Sequence, residues 1–206
     1  MMKQIILAVM AITSLAGAAT ALAGDDGWYV LGAVGENLGN DGQSKIDASL
    51  ISVGGAGFLS SYTRPAIYKL QLGNQINKSF AIEGGYITTS NEHYIATGGN
   101  LVTPVTASVN VTGWNMNAVG ILPLANQFSL LGKLGGASIR SSGSLTGPGG
   151  SISLGGPRTD LTYGLGAKYD GTRDISLRLD LDSYSIGSST SSSRSNVWTV
   201  GVCLKF

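Results

Sequence analysis

Ser90, Glu92 and His93 stand close together in the chain, and a hydroxyl, a carboxylate and an imidazole are the groups of a nucleophilic triad. That chemistry needs the ring nitrogen within hydrogen-bond reach of the hydroxyl. His93 is the only histidine and falls in a stretch rich in Ser, Thr, Asn and Gly, where an exposed loop histidine is ordinary. Catalysis is therefore not expected. Cys203 is the only cysteine, so no Cys/His group has metal-ligand spacing and no internal disulfide can form. The glycines at 98–99 and 147–150 precede no helix, so they form no phosphate cradle. No cofactor and no metal are expected.

A second set of residues points to chemistry of another kind. Lys69, Glu83, Lys133, Lys168, Arg178 and Asp180 are scattered charges in segments that are otherwise apolar or small. Charges in such settings must pair or stay wet. Which applies depends on the elements that carry them. The clearest element is Ile175-Ser-Leu177-Arg-Leu179-Asp-Leu181-Asp182, with one face wholly aliphatic and the other polar or charged, the period of a strand. Similar segments occur at 27–36, 66–76, 80–89, 109–122, 128–139, 160–169, 175–184 and 196–206. Most exceed the roughly 5 or 6 residues usual for soluble strands and match the roughly 9 to 11 of a tilted strand crossing a bilayer. No helical periodicity is evident after the N-terminal segment.

The connections alternate between short and long. Residues 77–79, 123–127 and 170–174 read as tight turns, whereas 37–65, 90–108, 140–159 and 185–195 read as long loops. An even-numbered meander would put every short turn at one end. Marking the aliphatic parity of each strand then sorts the aromatics into two bands: Trp28, Phe80, Phe128, Tyr169 and Phe206 beside the turns, and Tyr68, Tyr86, Trp114, Tyr163 and Trp198 beside the loops. Aromatic girdles of this kind settle at the two interfaces of a bilayer. The opposite parity collects Lys69, Gln71, Glu83, Asn115, Asn117, Lys133, Asp160, Lys168, Arg178, Asp180 and Asp182. Eight strands close around a space just wide enough for side chains, so these groups are expected to pair in a sealed lumen. Equal heights above the turn end predict two cross-lumen pairs, Glu83 with Arg178 and Lys133 with Asp180.

Composition agrees. Charged residues are 12% of the 206, against roughly 25% in soluble domains, and glycine is abundant at 31. A formal net charge of +1 without a basic block excludes a nucleic-acid footprint. Met1-Met2-Lys3, an apolar stretch over 5–16 and Ala21-Leu22-Ala23 have the layout of a secretory signal. The expected domains are a signal peptide at 1–23, cleaved to leave Gly24 first, and a single β-barrel domain at 24–206. The loop over 48–62 is unusual in carrying Leu50, Ile51, Val53, Phe58 and Leu59, and is expected to extend the wall or cap the mouth.

Several stretches resemble the eight-stranded barrel of outer-membrane protein A and its small relatives: Gly27-Trp28-Tyr29-Val30, Phe80-Ala-Ile-Glu83-Gly-Gly-Tyr86, Leu122-Pro-Leu-Ala-Asn-Gln-Phe-Ser-Leu, Gly132-Lys133-Leu-Gly135 and the terminal Trp198-Thr-Val-Gly-Val-Cys-Leu-Lys-Phe206. The resemblance implies an all-β fold, an eight-stranded antiparallel up-and-down transmembrane β-barrel, in the outer membrane of a Gram-negative cell. It also implies a Glu on the third strand opposing an Arg on the seventh, here Glu83 and Arg178, and a last strand ending at Phe206 that the outer-membrane assembly machinery reads. No peptidoglycan-binding domain follows the barrel in this sequence, so tethering to the cell wall is not expected. The expected partners are the lipid bilayer, lipopolysaccharide and the assembly machinery. The expected role is non-catalytic, in envelope integrity or adhesion. The alternatives are a narrow porin-like pore and, behind it, an outer-leaflet lipid-modifying enzyme. A soluble lipocalin-type barrel would need an apolar interior, which the inward charges oppose.

Overall fold

The computed structural model describes residues 27–38, 41–52, 54–101, 103–125, 127–147, 150–187 and 192–206. The expected signal segment at 1–23 and Val53 lie outside them. In chain order the elements are β1 (Gly27–Asn37), α1 (Asp41–Ser52), β2 (Leu59–Thr63), β3 (Ile67–Asn77), β4 (Phe80–Thr89), β5 (Glu92–Thr97), β6 (Val105–Ala125), β7 (Phe128–Gly147), β8 (Gly150–Asp170), β9 (Ile175–Gly187) and β10 (Ser192–Lys205).

Eight of the strands form a closed antiparallel ring. Its order is β6-β4-β3-β1-β10-β9-β8-β7, and the pairing of β6 with β7 returns to the start. First and last strands meet through the register Tyr29↔Lys205 to Asn37↔Val197. Closure removes every free edge within the ring, which is what a sheet needs if no water is available to its backbone. The turn end carries the connections 78–79, 126–127 and 171–174, with slipped registers at Gln75/Asn77 and Pro123/Ala125 that end the ladders there. Pro123 has no amide hydrogen to give, so a ladder end is where it is tolerated.

The ring has its polarity reversed relative to a soluble barrel. Glu83 and Asp180 are 0% and 1% exposed, while Leu165 and Trp114 on the outer face are 69% and 66% exposed. Period-2 alternation makes this possible: one parity of each strand faces the lumen and the other faces out. Along β7 the pattern is unbroken from exposed Phe128 and Leu130 to buried Leu131 and Lys133.

The loop end differs from the sequence-based expectation in two ways. First, a helix exists: α1 occupies part of the stretch read as loop, contrary to the expectation of no helix. Its sequence is mostly polar, and only Ile46 and Leu50, four residues apart, give it an apolar edge. Second, the long connections contain strand. β2 pairs with β5, β5 pairs with the loop-end half of β6, and β7 and β8 stay paired as far as Gly147↔Gly150. Runs of Ser, Gly and Thr show little hydropathy contrast between faces, so their alternation was invisible.

This extension has its own core. Tyr94, Ala96 and Val105 are buried beneath Ile46, Leu50 and Phe58, whereas Ile51 and Leu59 stay exposed. Of the two expectations for the first loop, wall extension is met by β2, while α1 covers the buried face of that extension. Asp47 ties the layers together by accepting from Tyr94 Oη at 2.5 Å and from Ser60 Oγ at 3.0 Å. Burial, then the Asp47 contact, raises the Tyr94 phenol well above its usual range. Gly98 and Gly99, at φ of 81° and 63°, turn the chain after β5 through a conformation costly for other residues.

Candidate functional site

The lumen is layered. Toward the turn end Tyr29, Leu31, Ala81, Val119, Leu131 and Cys203 form one buried apolar cluster. Toward the loop end Ile67, Ile87, Ala137, Ile139, Tyr184 and Val197 form another. Between them, on the same inward parity, β4 presents Glu83, β7 presents Lys133, β3 presents Lys69, and β9 presents Arg178, Asp180 and Asp182 in succession.

These six residues form one connected network. Arg178 grips Glu83 with both terminal nitrogens: Nη1 donates to Oε1, and Nη2 donates to Oε2 at 3.0 Å. Its Nε donates to Asp180 Oδ1 at 2.9 Å. Lys133 reaches Asp180 at 3.0 Å and Asp182 at 2.5 Å, while Lys69 reaches Asp182 at 2.5 Å and Asp180 at 3.7 Å. Three cations face three carboxylates, so the formal charge cancels. A planar guanidinium suits the bidentate contact, and the two ammonium groups act as point charges between the aspartates.

A phenol joins each apolar cluster to the network. Tyr29 Oη donates to Glu83 Oε1 at 2.6 Å, and Tyr184 Oη donates to Asp182 Oδ2 at 3.4 Å. Neutral polar side chains fill the remainder, with Gln71 donating to Asn115 at 3.3 Å and Thr162 donating to Asn117 at 2.9 Å. Space for the carboxylates comes from glycine. In the β8–β9 register Gly164 faces Asp182 and Gly166 faces Asp180, and a Cβ at either glycine would strike the carboxylate opposite.

Of the residues singled out from sequence, Glu83, Arg178, Lys133, Asp180 and Lys69 come together here. Lys168 does not join them: it pairs with Asp170 at 3.1 Å on its own strand, at the turn-end mouth. Asp160 likewise pairs locally, with Arg158 at 2.9 Å. Tyr29, Tyr184 and the spacing role of Gly164 and Gly166 were not foreseen. Tyr184 had a signal, since it shares the parity of Arg178, Asp180 and Asp182 on β9, whereas the inward parity of β1 that carries Tyr29 holds no charge.

The ten aromatics assigned to the two bands all take the outward parity. Trp28, Phe80, Phe128, Tyr169 and Phe206 lie at the turn end, with Phe128 and Tyr169 in tilted contact at 4.8 Å. Tyr68, Tyr86, Trp114, Tyr163 and Trp198 lie toward the loops, with Tyr86 and Trp114 in contact at 4.9 Å and Arg194 stacked 5.0 Å above Tyr163. Ser90, Glu92 and His93 are not brought together. The Ser90 hydroxyl accepts from the Ala66 amide at 2.9 Å, and neighbouring positions of β5 send Glu92 and His93 to opposite faces.

Residues 5–206 match the sequence profile of the outer membrane protein beta-barrel domain. The chain belongs to that family. Among solved structures, this family barrel is similar to Ail, the attachment invasion locus protein of Yersinia pestis, at 14% identity and a TM-score of 0.52 over 88% of this chain and 99% of that one. OprG, an outer membrane protein of Pseudomonas aeruginosa, gives 13% identity and a TM-score of 0.52 over 90% and 99%. Ail in complex with the heparin analogue sucrose octasulfate gives 13% and 0.50 over 87% and 99%. Comparison with curated proteins returned no match. The family barrel is an outer-membrane protein, and at these identities the solved structures speak for its fold alone.

Proposed function

We propose that the protein is a non-catalytic structural barrel of the outer membrane, with a closed lumen, that contributes to envelope integrity and presents its loop end for surface interaction such as adhesion. The observation that carries this reading is the neutral network of Lys69, Glu83, Lys133, Arg178, Asp180 and Asp182 held between two apolar clusters. An ion crossing the lumen would have to break buried pairs, a cost of several kcal/mol for each charge left uncompensated. In this reading the two aromatic bands sit at the two bilayer interfaces, the short turns face the periplasm, and the loop end faces outward beside lipopolysaccharide. Cleavage after Ala23 and recognition of the Phe206 strand by the assembly machinery belong to the same reading. Ail, an attachment invasion locus protein, illustrates adhesion as one use of this fold.

A narrow pore is the second reading. It is favoured by a basin of about 810 Å³ at the turn end that reaches inward to Tyr29, Arg178 and Cys203. Purified protein in planar bilayers separates the two. The closed-lumen reading expects no discrete conductance steps at neutral pH, and reproducible steps abolished by changing Arg178 or Glu83 would replace it with the pore. Deletion of the gene is expected to increase detergent sensitivity of the cells.

A further inference from the structure

The outer wall is not evenly covered. A groove of about 770 Å³ crosses it from β10 to β4, with Tyr163, Leu165, Leu134 and Phe80 along its sides. Its floor follows from register. Leu165 pairs with Gly132, Gly132 with Gly120, and Gly120 with Phe80, so one ladder row carries two glycines between two large apolar residues. A Cβ at Gly132 would meet no heavy atom within 4 Å, and one at Gly120 would meet only the Gly132 carbonyl at 3.8 Å. The barrel itself therefore makes no demand for glycine at either position.

A charge stands at the loop end of this groove. Arg194 lies 5.0 Å over the Tyr163 ring, and that ring is part of the groove wall. Among the described residues, the charged side chains at outward parity on β7, β8, β9 and β10 are Arg140 and Arg194, both cations. A guanidinium held on an aromatic face keeps its donors directed outward, suited to a phosphate. The groove volume falls within the roughly 300 to 1,000 Å³ of ordinary ligand sites.

We propose that this groove binds one lipopolysaccharide molecule, with an acyl chain over Gly120 and Gly132 and a phosphate on Arg194. The occupant follows from position and charge: the groove is apolar and lies on the membrane-facing wall, and the outward-facing cation beside it, Arg194 over Tyr163, is at the end that faces the outer leaflet, whose anionic lipid is lipopolysaccharide. The inference rests on the orientation proposed above, with the loop end outside.

The test uses the full-length protein extracted from outer membranes in mild detergent, with lipid A and phospholipid per barrel counted by native mass spectrometry. Wild type is expected to retain lipid A. Gly120→Leu with Gly132→Leu fills the groove, and Arg194→Gln removes the charge while leaving the wall intact. Each is expected to lower retained lipid A by about tenfold. Unchanged retention in either variant, or retention of phosphatidylglycerol in place of lipid A, overturns the proposal. Heat-modifiable gel mobility is measured on the same samples. If wild type itself lacks it, the closed-barrel reading fails; if only the glycine variant loses it, Arg194→Gln decides alone.

Discussion

The ring and its loop-end extension solve opposite problems with the same strand alternation. In the ring, apolar side chains such as Leu165, Leu179 and Val200 stand outside and six charges are locked within. In the extension, Tyr94, Ala96 and Val105 go inside beneath α1, and the outer face mixes the polar Ser61, Thr63 and His93 with a few exposed apolar side chains such as Leu59 and Ile95. The difference shows that alternation fixes a strand but not which face is solvent-averse. The surroundings decide that: lipid for the ring, water for the extension. It also shows where specificity resides, because the ring stakes its packing on buried ion pairs whose failure is costly.

The sharpest way to break this contrast is Arg178→Ala, which leaves Glu83 and Asp180 buried without their guanidinium. A loss of about 3–5 kcal/mol is expected, seen as a lower urea midpoint for loss of heat-modifiable mobility. The same contrast predicts a smaller and local effect from Leu50→Ala. Half-buried packing over Tyr94 and Val105 is worth about 1 kcal/mol, so amide protection in β2 and β5 should fall while the ring's urea midpoint stays put. A midpoint that falls with Leu50 would make ring and extension one cooperative unit. The smallest effect is set by pH. Burial holds the Glu92 carboxyl above its ordinary 4.5, against the hydrogen bond from Tyr62, so the neutral form is favoured in the folded extension. That contribution is full below the unfolded pKa and is lost as pH rises through the folded one. Protection of β5 amides, corrected for intrinsic exchange, should therefore decline from acid toward neutral pH, and Glu92→Gln should flatten the decline.

Much of the ring was legible because lipid on one side and charge on the other give strong contrast. The Ile175 to Asp182 alternation put Arg178 and Asp180 on one face, the strand lengths and the two aromatic bands made that face the lumen, and counting from the turn end paired Glu83 with Arg178. The extension was not legible, for physical reasons. Ser141, Ser142 and Ser144 continue β7 with hydroxyls on both faces, so burial leaves no mark in their hydropathy. In α1 only Ile46 and Leu50 meet the core, too few to impose a helical period. Tyr29 meets Glu83 by depth across the lumen and Gly164 meets Asp182 by the β8–β9 register, neither of which neighbouring positions in the chain encode. Lys168 shows the converse, an inward parity that ends at the mouth beside Asp170 because its strand has nearly finished.

The central claim, that β9 turns its leucines to lipid and its charges to a closed lumen, is open to one direct measurement. On a Cys203→Ser background, single cysteines at positions 176 to 182 are labelled with a fluorophore and reconstituted with brominated phospholipids. Strong quenching at 177, 179 and 181 with little at 176, 178, 180 and 182 is the expected result. Equal quenching at both parities, or stronger quenching at 178 and 180, would contradict it.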